Sequence, residues 1–241
     1  MDVKTTIILG ILVGVLGTGL GGLLTFFIKS GSKQMSNILG FSGGIMLVAV
    51  FMELVPEAIG VAGLTYTTLG ILVGIGFLFA LDVMMNIIMP HNACEDRNYF
   101  RTAILLFIAM ASHNFPEGMA IGSGFEASTR IGILLVVTLG IHNVPEGMAV
   151  ATSFRMSGMS RTHAMISTLL AGTPMVLGTL TGTILGKLSA QWIAISMGFA
   201  AGAMIYTVSH EILPEACTRE RSSPWGIVWG FVAGSILFNL F

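Results

Sequence analysis

Charge is what this sequence has least of. Only 10% of its 241 residues are Asp, Glu, Lys or Arg, against about 25% in ordinary soluble domains. With 54% hydrophobic residues, a water-facing chain could not cover its surface, whereas a lipid-facing one has no need to. The net charge of −1 gives a polyanion such as nucleic acid nothing to grip. Cysteine is nearly absent. Cys94 and Cys217 lie far apart and form neither a zinc-finger nor a redox pair. There is no Walker-type phosphate loop, no His-Glu-x-x-His signature, and none of the alternating ten-residue segments of a membrane β-barrel. A cleavable signal peptide is not evident either: the first apolar run is too long for one and lacks a small-residue cleavage site.

Long apolar runs take the place of charge, and mean hydropathy is +0.88. A hydrocarbon core of about 30 Å needs about 20 helical residues. Runs of that order fall at 5–28, 38–59, 64–89, 102–125, 129–153, 163–187, 190–213 and 225–241, the last short but opened by Trp225 and Trp229 as interfacial anchors. The sequence thus predicts an all-α polytopic membrane protein of eight spans. Short loops make 1–241 one transmembrane domain. Loops on one side carry Lys29, Lys33, Arg97, Arg101, Arg155, Arg161, Arg219 and Arg221, the other side only Lys4, Arg130 and Lys187. The bias puts both termini outside and both cysteines near the reducing cytoplasmic face. Glycines four apart, as in Gly178/Gly182/Gly186 and Gly226/Gly230/Gly234, are read as helix-packing positions.

Two internal repeats organise the chain. HNFPEGMAIGSGF at 113–125 matches HNVPEGMAVATSF at 142–154, and GFSGGIMLVAVFMELVPEA at 40–58 matches GFAAGAMIYTVSHEILPEA at 198–216, an offset of 158 residues. Spans 2 and 7 cross in opposite directions, as do spans 4 and 5. The expected architecture is an inverted repeat of spans 1–3 and 6–8 around a central pair, the plan of secondary transporters with sites near the midplane.

Within each short repeat His and Glu are four residues apart, so His113/Glu117 and His142/Glu146 each share a helical face, flanked by Asn114 and Asn143. An ionised carboxylate at mid-membrane costs ~3 kcal/mol on insertion scales. Two such carboxylates ask for a common partner, and a divalent cation neutralises both while imidazole and amide groups complete its shell. Pro116 and Pro145 withhold the usual helical donors from the carbonyls of Ser112 and Ile141, and Gly118 and Gly147 permit close backbone approach. A donor set of nitrogen and oxygen without thiolate argues against copper(I); calcium and magnesium prefer all-oxygen shells. Zinc comes first, iron(II) second, with manganese, cobalt and cadmium open.

These features resemble the ZIP (Zrt-, Irt-like protein) family of divalent-metal transporters, in its prokaryotic branch, over essentially the whole chain. The loop after span 3 is only PHNACEDRNYFR, without the long His-rich insertion of many eukaryotic members, and His91 with Cys94 offers at best a weak metal site. The resemblance implies a bacterial plasma-membrane transporter, with pairing of two copies compatible. It implies a primary transport site of His113, Glu117, His142 and Glu146, with Asn114 and Asn143 sharing the glutamates with a second metal position. Where the family often has Glu-Pro in span 6, this chain reads Thr173-Pro174, so the second position is expected to be weak or empty. Glu53 and Glu57 near the outer end of span 2, Asp82 in span 3, and His210, Glu211 and Glu215 at the inner end of span 7 would line access and release routes. Met46, matched by Met204, is a soft ligand or, more simply, core filler.

The expected mechanism is import by alternating access. Metal binding expels protons from the cluster, and apolar residues of spans 2 and 7 gate it. A metal channel with the same ligands, an intramembrane metalloenzyme and a proton-coupled carrier of organic solutes are the alternatives. The enzyme would want a general base beside an open metal position, and few aromatic or cationic residues stand near the midplane to recognise an organic solute.

Overall fold

The computed structural model describes residues 2–27, 32–88, 99–214 and 225–240. The described residues form helix and short turns, with no strand among them. The reason is local: where water is scarce, a helix satisfies every backbone group within its own segment. Helix α1 runs Val3–Leu24, with a π-helical stretch at Leu12–Gly17. Helix α2 joins Ser32–Val48, a π-helical stretch Ala49–Leu54, and Val55–Ala62. Helix α3 is Leu64–Ile88, α4 is Tyr99–Ala127, and α5 is Thr129–Met156. Helix α6 spans Arg161–Leu188, broken between Ala171 and Pro174. Helix α7 is Ala190–Thr207 continued by a π-helical stretch Val208–Ile212, and α8 is Trp225–Leu240.

Boundaries follow short-range chemistry. Ser128, Ser160 and Ser189 accept hydrogen bonds from the backbone N–H groups of Ile131, His163 and Trp192, capping α5, α6 and α7. Gly63 ends α2 at φ +85°, a left-handed conformation that glycine adopts without Cβ strain.

Six of these helices are long and apolar enough to cross a bilayer: α1, α3, α6, the stretches Ser36–Ala62 of α2 and Ala190–His210 of α7, and α5. Together with apolar side chains facing outward from α1, α3, α6 and α8, they make this an integral membrane protein. Helix α4, of 29 residues, carries the same His-Asn-x-Pro-Glu-Gly motif as α5, and α8 is apolar but only 16 residues long.

Helices α4 and α5 lie side by side at the centre. Helix α4 packs along the second half of α6 and against α7, whereas α5 packs along α1 and against α2; α3 lies on α7 and α8 on α2. Glycine sets the tightest approaches. A Cβ on Gly118 would sit 2.0 Å from the Met175 carbonyl oxygen of α6, and one on Gly147 would sit 2.0 Å from the Thr18 carbonyl oxygen of α1. Any larger residue there must push a helix away. Arg155, near the end of α5, donates to the Thr25 carbonyl just past α1, closing that pair at its C-terminal end. Along α4 and α5 the apolar core divides in two. Ala120, Ile121 and Phe125 of α4 meet Ile131, Leu135 and Leu139 of α5 on one side of the paired motifs. Ala103 and Met110 meet Val150, Ala151 and Phe154 on the other.

Candidate metal site

Between those two apolar plugs the motifs face one another. His113 Nε2 lies 3.2 Å from Glu146 Oε2, and His142 Nε2 lies 3.1 Å from Glu117 Oε1. Each histidine therefore partners the glutamate of the other motif, and the pairing numbers run in opposite directions because α4 and α5 are antiparallel. All four side chains are buried. Single donor atoms of His113, Glu117 and Glu146 also lie within 4.8 Å of one another. A tetrahedral ion held at about 2.0–2.1 Å separates its donors by roughly 3.3 Å. The two His–Glu contacts already have that edge length, so a modest contraction would enclose a cation.

The asparagines are anchored by their amide nitrogens. Asn114 Nδ2 donates to the Ala171 carbonyl at 2.9 Å, and Asn143 Nδ2 donates to the Val13 carbonyl at 3.1 Å. Ala171 ends the first half of α6 and Val13 lies in the π-helical stretch of α1, so irregular backbone supplies the acceptors. Each asparagine consequently keeps its Oδ1 unbonded, and Glu117 Oε2 is likewise buried without a hydrogen-bond partner. Buried oxygens left in this condition are costly. Several of them beside two imidazoles suit a cation better than they suit an empty core.

The other sequence-predicted residues divide. Glu53 is buried in the π-helical stretch of α2, where Thr138 donates to its Oε2 at 3.4 Å, one turn before His142 on α5. Asp82 and His210 come together at 3.4 Å, with Tyr206 donating to the same Asp82 oxygen at 3.2 Å and its ring 5.0 Å from that of His210. Glu57 is half-buried one turn beyond Glu53. Met46 is fully buried in the apolar cluster with Met204. Thr173 is exposed and donates to the Leu170 carbonyl at 2.7 Å. Glu215, His91, Cys94 and Cys217 lie outside the described residues, as does the side chain of Glu211.

Sequence reasoning missed Ser42, Thr138 and Tyr206. Ser42 Oγ lies 3.5 Å from Glu146 Oε1 and 3.3 Å from the His142 carbonyl oxygen. The one available signal was its place in the long repeat, three residues before the buried core of α2 begins. Thr138 sits one turn from a motif histidine and Tyr206 one turn from His210, but nothing local says what they touch.

Residues 91–238 match the profile of the ZIP zinc transporters. The chain belongs to the ZIP family. Among its ZIP relatives is the zinc transporter ZupT of Chlorobium luteolum, 34% identical over 98% of this chain and 96% of that protein. The zinc transporter GufA of Myxococcus xanthus is 37% identical over 62% of this chain. That match spans 63% of GufA's own length, less than two thirds of it. The zinc transporter ZIP11 of Xenopus tropicalis is 27% identical over 89% of the chain. As a ZIP protein it belongs with transporters and not with enzymes.

Proposed function

We propose that this protein carries zinc, and with lower preference iron(II), manganese or cadmium, into the cytoplasm through the buried cluster of His113, Glu117, His142 and Glu146, with Asn114 and Asn143 beside it. The observation that carries this reading is the reciprocal His–Glu pairing at 3.1 and 3.2 Å between two antiparallel helices, sealed by apolar residues along both directions. Its ZupT and GufA relatives are zinc transporters, and the nitrogen–oxygen donor set suits that ion.

The two His–Glu pairs also define the exchange. An imidazole nitrogen within 3.2 Å of a carboxylate oxygen needs a proton between them, and a cation binds these ligands only when they are deprotonated. Loading one dication therefore expels two protons and leaves the charge of the site unchanged. Reprotonation from the cytoplasmic side would favour release toward Asp82, His210, Glu211 and Glu215, while Glu53 and Glu57 would line the outer approach.

The membrane topology we infer is a single transmembrane domain of eight spans, 1–241, with both termini outside the plasma membrane. Helices α1–α3 and α6–α8 would form the inverted repeat around α4 and α5. The packing supports it: α1 lies on α5 as α6 lies on α4, α2 on α5 as α7 on α4, and α8 on α2 as α3 on α7. The π-helical stretches Ala49–Leu54 and Val208–Ile212, and the carbonyls of Val13 and Ala171, also correspond by the 158-residue offset. Apolar packing on both sides of the cluster along α4 and α5 favours a carrier over a channel with the same ligands. Thr173 makes the second metal position weak. The test is uptake of zinc, iron(II), manganese and cadmium into proteoliposomes holding the purified protein. Saturable zinc flux is expected, and failure of all four ions under any pH gradient would overturn the reading.

A further inference from the structure

The two halves of the site are unequal. Glu146 has both carboxylate oxygens engaged, Oε2 by His113 and Oε1 by the Ser42 hydroxyl of α2. Glu117 has Oε1 on His142 and Oε2 bare. The inequality traces to one residue. The long repeat puts Ala200 of α7 where Ser42 stands on α2, since GFSGG at 40–44 matches GFAAG at 198–202. Both positions are fully buried, so water cannot substitute for the missing hydroxyl.

Ser42 holds one hydroxyl hydrogen and faces two acceptors, the His142 carbonyl at 3.3 Å and Glu146 Oε1 at 3.5 Å. It can serve only one of them well at a time. In the metal-free site, donation to the carboxylate offsets part of the cost of burying its charge. Once an ion takes Glu146, the hydroxyl can turn wholly to the His142 carbonyl without being orphaned.

We propose that Ser42 is a positioning residue that holds Glu146 in the metal-free site and yields it to the arriving ion, so that Glu117 is the first carboxylate to bind and Glu146 the second. This rests on the function proposed above. Because the hydroxyl stabilises the empty site more than the filled one, it weakens equilibrium binding and eases release. Because it belongs to α2 while both its acceptors belong to α5, loading the site also changes what ties those two helices together.

The test uses purified full-length protein, with zinc binding measured in detergent by competition with a chelating dye and zinc uptake measured in proteoliposomes. A long, shared hydrogen bond to a charged group stands at the low end of the usual range, so Ser42→Ala should tighten the zinc Kd about fivefold. The same variant should lower the KM for uptake and the maximal rate together. Ala200→Ser should place a donor beside Glu117 and move Kd the opposite way, a sign change that lost packing would not produce. An unchanged or weaker Kd in Ser42→Ala overturns the proposal. Should Ser42→Ala not fold, the Ala200→Ser measurement decides on its own: an unchanged or tighter Kd is contrary. His113→Ala in the same assay separates the two levels. If it binds zinc normally, the site reading and the Ser42 proposal fall together; if it loses binding while Ser42→Ala matches wild type, only the proposal falls.

Discussion

The His113/Glu117/His142/Glu146 cluster and the Asp82/Tyr206/His210 cluster use the same kinds of side chain at nearly the same separations, yet the first is 0–4% exposed and the second opens His210 to 57% and Asp82 to 33%. Burial is what separates them. In the low-dielectric core, a charge left without its partner is strongly destabilising. The second pair is open at the surface of the helix bundle, so a passing ion can reach it without displacing packed side chains. On the function proposed above, the first cluster would hold the ion and the second would meet it briefly on the way out.

The comparison breaks most sharply at the core. Glu117→Ala should weaken zinc binding more than about 100-fold, because it removes a candidate carboxylate ligand, where loss of even an outer-shell partner costs about 10–100-fold in metal affinity; isothermal titration of the purified protein reads this directly. Gly118→Val should come next. Its Cβ cannot occupy a position 2.0 Å from the Met175 oxygen, so α4 and α6 must separate at a cost of about 3 kcal/mol or more, seen as a fall in thermal melting temperature. Asp82→Asn should change zinc affinity less than about fivefold while lowering the maximal uptake rate, a split that a high-affinity role for Asp82 would not give. Thr173→Glu should have the smallest effect, a shift in metal preference through an added carboxylate; identical selectivity would remove the argument for a weakened second position. Acidification provides a fifth probe. Because each His–Glu pair loses a proton to solution when the ion binds, affinity should fall as pH falls, with release near two protons per zinc in weakly buffered solution.

Much of this was legible in the sequence because it is local or periodic. Long apolar runs located the long helices among the described residues, as the start of α3 at Leu64, where it was expected, illustrates. The i, i+4 spacing within each HNxPEG put both ligands of a motif on one face. What could not be read is how the two faces interlock. Spacing suggests His113 with Glu117, whereas the structure pairs His113 with Glu146, since only the crossing of α4 and α5 decides which carboxylate is nearer. The π-helical stretches were not foreseen either. Those of α2 and α7 end just before Pro56 and Pro214, each of which withholds a helical donor from a carbonyl in the stretch, whereas nothing in the sequence marks the one in α1. Gly118 and Gly147 were recognised as sites of close approach, but their partners, Met175 and Thr18, lie far along the chain. Ser42 escaped for the same reason: its contacts reach residues about 100 positions away.

The most direct test compares zinc uptake into proteoliposomes by wild type, His113→Ala and Glu146→Ala at matched protein density. The account predicts saturable uptake by wild type and near-complete loss in both variants. Normal transport by either variant would contradict it.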